Sequence, residues 1–223
     1  MGILRKIFLS ISNILNAKRV YLTMSLTYRN KKQKLAAEFD HIRCSTLELC
    51  YEEIVANKVA GNVAELGVYK GDFAKKLNQL FSDRKLYLFD TFQGFEHKDI
   101  DVEKANNFSD GSQDFSDTSV DLVMKKMLHP DNCIVKKGFF PETAVGVSDR
   151  FCFVSLDADL YEPIYQGLKF FYDKLEKGGY IFVHDFNNEM YGGARKAVLN
   201  FCKESGVSYV PIGDSGGTAI ITK

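Results

Sequence analysis

Apolar and polar positions along the chain predict a repeated strand–helix unit. Short apolar runs stand at residues 63–66, 85–90, 132–136, 151–157 and 180–185. They are rich in Val, Ile, Phe and Tyr, the residues that suit a buried strand. Between them apolar residues recur at helical spacing: after Leu66 through Leu80, over about 118–128, from about Pro163 to Leu175, and over about 192–205. Strands alternating with helices predict a doubly wound, mostly parallel α/β sheet. Two more strands, 208–212 and 218–221, flank Gly213-Asp214-Ser215-Gly216-Gly217. They predict a closing hairpin that lays an antiparallel strand on the sheet. The expected fold is therefore Rossmann-like, with seven strands. Gly178-Gly179 reads as a turn, and the acid-rich stretch 96–117 as a loop, either a mobile lid or a solvated surface loop.

The N-terminal pattern differs. Ile3, Ile7, Ile11, Ile14 and Leu15, with Leu4 and Phe8, approximate a helical stripe, and a second helix is expected over about 33–58. Residues 1–37 hold Arg5, Lys6, Lys18, Arg19, Arg29, Lys31, Lys32 and Lys34 and no acid, so this arm is +8. The rest carries 21 bases against 29 acids, which makes the body −8 and the whole chain neutral. Neutrality argues against a dedicated nucleic-acid binder. A basic amphipathic arm packs on its own body or on a second subunit of a homo-oligomer, or lies peripherally on a membrane through residues 1–35. The expected division is a basic helical arm with a cover helix at 1–58 and a catalytic domain at 59–223.

Composition narrows the class further. With 45% apolar residues and only 4 Pro the chain is globular rather than disordered. No apolar run approaches the roughly 20 residues that span a bilayer. Ser10, Ser12, Asn13 and Asn16 interrupt any signal-peptide core, and no small-residue cleavage site comes after them. Cys44, Cys50, Cys133, Cys152 and Cys202 are odd in number and lack CxxC spacing, which reads as reduced thiols in a cytoplasmic protein.

Ligands of an open α/β sheet bind at the C-terminal strand ends, where the strand order reverses. Four of those ends are polar here. Glu65 and the loop Gly67-Val68-Tyr69-Lys70-Gly71 close the first strand. That loop lacks both GxGxxG and a P-loop Lys-Ser/Thr, so a nicotinamide-dependent oxidoreductase is disfavoured and the loop alone reads equally as a tight turn. Asp90 ends the second strand, where an acid suits ribose hydroxyls or caps the next element. Asp157 and Asp159 come after the fourth strand, and His184-Asp185 end the fifth. Carboxylates gathered at buried strand ends repel one another unless a counter-charge sits among them. A hard divalent cation such as Mg²⁺ would supply it; helix capping with a Lys or Arg partner is the other reading.

Several segments together resemble the macrocin O-methyltransferase-like group of class I S-adenosylmethionine-dependent methyltransferases. They are Ala64-Glu65-Leu66-Gly67-Val68-Tyr69-Lys70-Gly71, Phe89-Asp90-Thr91-Phe92-Gln93-Gly94-Phe95, Gly138-Phe139-Phe140-Pro141-Glu142-Thr143, Leu156-Asp157-Ala158-Asp159-Leu160-Tyr161 and Gly178-Gly179-Tyr180-Ile181-Phe182-Val183-His184-Asp185-Phe186. The resemblance covers about 60–223 and leaves the arm outside it. It implies that Glu65, Gly67, Tyr69 and Gly71 line the methionine end of S-adenosylmethionine and that Asp90 holds its ribose. It implies Mg²⁺ or another hard cation on Asp157 and Asp185, and Asp159 as general base for a hydroxyl of a sugar or glycoconjugate. One departure stands out: the family commonly has Asp-Asp where this chain has His184-Asp185, so His184, Asn187, Asn188 or water completes the metal site. The alternatives are a catechol-like phenolic acceptor and a non-catalytic, membrane-associated partner that uses the arm.

Overall fold

A computed structural model describes Ile3–Asn16 and residues 40–223. The chain divides into two compact units, Met1–Gln33 and Lys34–Lys223. In the first, α1 (Ile3–Asn16) is the helix that the apolar stripe predicts, and Ile7, Ile11 and Ile14 are exposed along it. The expected beginning of the second helix, residues 33–39, lies outside the described residues.

The second unit begins with α2 (His41–Ala56), capped by Asp40, whose side chain accepts from the Arg43 amide. Then comes a strand–helix series: β1 (Asn62–Leu66), α3 (Asp72–Leu80), β2 (Leu86–Asp90), α4 (His97–Ala105), α5 (Val120–Met124), β3 (Cys133–Lys137), β4 (Phe151–Leu156), α6 (Tyr161–Lys174), β5 (Leu175–Val183), α7 (Gly192–Ser205), β6 (Val210–Ile212) and β7 (Thr218–Thr222). The seven strands form one sheet in the order β3-β2-β1-β4-β5-β7-β6. The first five are parallel; β7 runs antiparallel to β5 and to β6, so the expected closing hairpin is present.

Alternation along the strands divides the core between the two faces of the sheet. Tyr87 and Phe89 of β2 join Phe151, Phe171 and α7 residues such as Ala197 on one face. Leu86 and Leu88 join Phe153, Phe182 and the Leu47–Ile54 stripe of α2 on the other. Each fully buried Phe contributes about 2–3 kcal/mol of apolar burial. Strand order reverses between β1 and β4, the neighbours on either side of the switch point.

Three expectations need correction. The stretch 96–117 is not all loop, because residues 97–105 form α4. Asp99 and Glu103 lie one turn apart on its inner side and are buried. The Glu103 carboxylate accepts from the Tyr161 amide at the first turn of α6 (2.7 Å) and from the Ser109 hydroxyl (2.8 Å). Inward-facing acids thus fix a segment whose composition resembles that of a solvated loop. The helix expected over 118–128 is shorter: Ser119 caps α5 through the Leu122 amide, and the chain turns before Pro130. Gly178-Gly179 is not a turn between elements but part of a bulge inside β5, where the register against β4 slips. Gly178 has φ 86°, and a Cβ on Gly179 would sit 2.8 Å from the Cys152 carbonyl.

Candidate functional site

A cavity of about 560 Å³ opens at the C-terminal ends of β1, β2, β4 and β5, within the usual range for small-molecule sites. It is lined by Glu65, Gly67, Tyr69, Asp90, Asp157, Asp159, His184 and Asp185, which are eight of the nine residues selected from sequence. The ninth, Gly71, stands at the N-terminus of α3 in the left-handed region, where a Cβ would press on Val123 at 2.9 Å.

On the β1–β2 side, polar groups are held by backbone. Asp90 accepts from the amides of Val68 (2.7 Å), Tyr69 (2.9 Å) and Phe92 (2.6 Å), so this carboxylate shapes the first loop as well as lining the cavity. Gly67 is required by close approach: a Cβ there would lie 2.1 Å from the Asp157 carbonyl oxygen. Tyr69 has φ 47°, an unusual conformation for a bulky residue, and its hydroxyl donates to Asp117 at 2.6 Å. Phe115 packs edge-on to both Tyr69 and Phe95, so the segment after α4 folds back over this loop. Glu65 is 1% exposed, and its Oε2 has no hydrogen-bond partner. Burial, helped by the charge of Asp157, pushes its pKa well above the carboxylate range.

On the β4–β5 side, side chains face one another. Asp157 Oδ2 accepts from the Arg43 guanidinium at 2.9 Å, and its Oδ1 lies 3.1 Å from His184 Nδ1. The same ring nitrogen is 2.9 Å from Asp185 Oδ2, while Asp185 Oδ1 accepts from Asn188 at 2.8 Å. Burial alone would raise the Asp157 pKa, but Arg43 and His184 overcome it and hold the group well below its ordinary value. Burial opposes the charged form of His184 too, yet Asp157 and Asp185 raise its pKa to about 10. Asp159 goes the other way: burial, then the charges of Asp157 and Asp185, push its pKa far up. Asp159 and Asp185 adopt φ 58° and φ 56°, and backbone strain of this kind concentrates at functional sites.

Sequence reasoning missed the residues that support this group. Arg43 projects from α2, stacks 3.9 Å over the Phe73 ring and donates also to Ser155 Oγ. A signal was there: Arg43 starts the stripe Arg43, Leu47, Cys50, Ile54, and a lone base on an apolar face needs a buried partner. The β6–β7 turn reads from sequence as hairpin chemistry only. Its Gly216 lies against the site, where a Cβ would stand 2.7 Å from Asp185 Oδ1.

Among the described residues, Asp157, His184 and Asp185 bring one ligand atom each within 4.8 Å of the others, as a metal site requires. Asn187 Oδ1 accepts from Arg195, and Asn188 Oδ1 from the Met190 amide, so both amide oxygens are already engaged. No described helix is long and apolar enough to cross a membrane.

The chain is similar to several known proteins. The family model described as Macrocin-O-methyltransferase (TylF) matches residues 37–219. The chain is 25% identical over 190 residues to 8-demethyl-8-(2,3-dimethoxy-alpha-L-rhamnosyl)-tetracenomycin-C 4'-O-methyltransferase of Streptomyces olivaceus, covering 80% of this chain and 71% of the relative. It is 25% identical over 181 residues to mycinamicin III 3''-O-methyltransferase of Micromonospora griseorubida, covering 74% and 70%. The solved structure of the O-methyltransferase NovP shares the fold, with a TM-score of 0.67 at 20% identity over 82% of this chain and 80% of that one. A match over most of the second unit, on a sheet whose strand ends carry these groups, shows that the chain belongs to the macrocin O-methyltransferase family and is an enzyme of the S-adenosylmethionine-dependent O-methyltransferase class.

Proposed function

We propose that the enzyme transfers the methyl group of S-adenosylmethionine to a hydroxyl of a sugar or glycoconjugate in this cavity. One observation carries the reading: the unpartnered, buried Glu65 Oε2 shares its cavity with Asp157, Asp159, His184 and Asp185. An orphaned acid of this kind calls for a cationic donor, and the methionine ammonium of the cofactor is one. Glu65, Gly67 and Tyr69 line the methionine end, Gly71 sets the start of α3 beneath it, and Asp90 has lone pairs left for the ribose hydroxyls. The sugar class rests on the relatives, one of which is named for methylating a rhamnosyl compound.

The sulfonium methyl is already electrophilic, so the residues must improve a poor nucleophile. Asp159 takes the acceptor proton: its carboxylate lines the same cavity as Asp157 and Asp185, within reach of a hydroxyl bound there. Asp157, His184 and Asp185 fit a divalent cation: Nδ1 lies 3.1 and 2.9 Å from the two carboxylate oxygens. That is about the spacing of neighbouring ligands around a small cation with bonds of about 2.1 Å. When bound, such a cation lowers the pKa of a hydroxyl and orients it.

Calorimetric titration with S-adenosylmethionine is the direct test; absence of binding with and without divalent cations would overturn the proposal. An acceptor screen then separates sugars from catechol-like phenols. None of the five cysteines forms a disulfide, in keeping with action in the cytoplasm. The arm, with exposed Ile7, Ile11 and Ile14, gives two further readings: contact with a second subunit or with a membrane surface. Liposome sedimentation of the full chain, with and without anionic lipid, distinguishes them.

A further inference from the structure

We propose that His184 turns this cation site away from Mg²⁺ and toward a first-row transition cation such as Mn²⁺ or Co²⁺. The inference rests on the reading above that a divalent cation is used. It concerns which cation the residues of this chain select.

The selection comes from what each donor has left to offer. Asp157 spends Oδ2 on Arg43, and Asp185 spends Oδ1 on Asn188, at 2.9 and 2.8 Å. Each carboxylate therefore turns one oxygen toward His184 Nδ1. The third donor is a nitrogen, with the permanent positive charge of Arg43 close by. Mg²⁺ is held through the charge of oxygen ligands, and this site has given some of that up. Imidazole nitrogen suits the later divalent cations instead.

The surroundings support the ring as a ligand. Asp40 and Asp214 each have a carboxylate oxygen within 4.8 Å of a His184 ring nitrogen. At that distance the two acids add negative charge around the ring, which favours a cation bound to it. The Gly216 backbone presses on the same pair: a Cβ there would lie 3.1 Å from His184 Cε1.

Pulsed electron paramagnetic resonance on the full chain loaded with Mn²⁺ reads this without any turnover. The expected spectrum shows nitrogen coupling from a directly bound imidazole, and Mn²⁺ stays bound in ~100-fold excess Mg²⁺. In His184→Asp the coupling disappears, and the preference for Mn²⁺ over Mg²⁺ falls by about tenfold or more. Bound Mn²⁺ without nitrogen coupling, or Mn²⁺ displaced by equal Mg²⁺, overturns the inference and leaves the cation reading standing. No Mn²⁺ binding at all overturns both, while cofactor titration tests the methyl-transfer reading separately. The wild-type spectrum alone decides the matter if the variant fails to fold.

Discussion

The two halves of the cavity bury carboxylates by different means. On the β1–β2 side Asp90 is satisfied by three backbone amides, and Glu65 keeps one oxygen unpartnered. On the β4–β5 side Asp157 and Asp185 are satisfied by side chains: Arg43, His184 and Asn188. Backbone donors are rigid and hold a loop in shape. Side-chain donors carry charge, and they set which protons and ions the group accepts. On the proposed reading, one half receives the cofactor and the other manages a proton.

The largest break in that comparison is Asp159→Asn. Turnover should fall ~10²–10⁴-fold while cofactor affinity is retained, because only the proton acceptor is removed. Wild-type-like turnover would remove Asp159 as base. Next comes Arg43→Met, which leaves the partly buried Asp157 without its guanidinium partner. Urea unfolding should show a loss of about 3–5 kcal/mol. Adding Asp157→Asn should restore much of that loss, and an additive pair would refute the coupling.

A smaller effect tests the bridge between the halves. Helix α4 comes after β2, yet its Glu103 bonds to the start of α6 beyond β4. On the same helix Asp99 is buried, and burial, opposed by Lys98 and aided by Glu162, raises its pKa from 3.8 to about 6. A raised carboxylate favours the folded form most below its unfolded pKa, and that contribution is lost as pH rises through about 6. The protection of the α4 amides relative to their intrinsic exchange rates should therefore fall between about pH 4 and pH 6, by up to ~100-fold, and Asp99→Asn should flatten the profile. The smallest effect is expected on the cofactor side. Glu65→Gln should weaken S-adenosylmethionine about tenfold without lowering the melting temperature, since the oxygen it changes has no protein partner to lose. A fall in melting temperature with unchanged affinity would assign Glu65 to structure.

The legible and illegible parts of the site divide along the same line. Glu65, Asp90, Asp157 and Asp185 stand at the ends of apolar runs, and a doubly wound sheet gathers such ends by construction. Reading those runs therefore yields both the strand series and the floor of the cavity. The stripe of α2 shows that Arg43 needs a buried partner but not which one, because that partner lies 114 residues away. Helix α4 was missed because its acids look solvated until a neighbouring helix start is there to receive them. The four-residue spacing of Asp99 and Glu103 was the available cue. His184 stands out in the sequence as a departure from an acidic pair, but only the fold shows it lying between two carboxylates while a third and fourth flank its ring.

The separation of Arg43 from Asp157 bears on how the protein is made. The chain is synthesised from its N-terminus, so the guanidinium leaves the ribosome 114 residues ahead of the acid that it will hold. When β4 and then β5 are added to the sheet, their acidic ends arrive at a counter-charge already present. A nascent chain interrupted before β4 carries a cation that water can still reach, which is far cheaper than a set of buried acids waiting for a partner. The order of the codons thus spares the half-built enzyme the repulsion that its finished site depends on controlling.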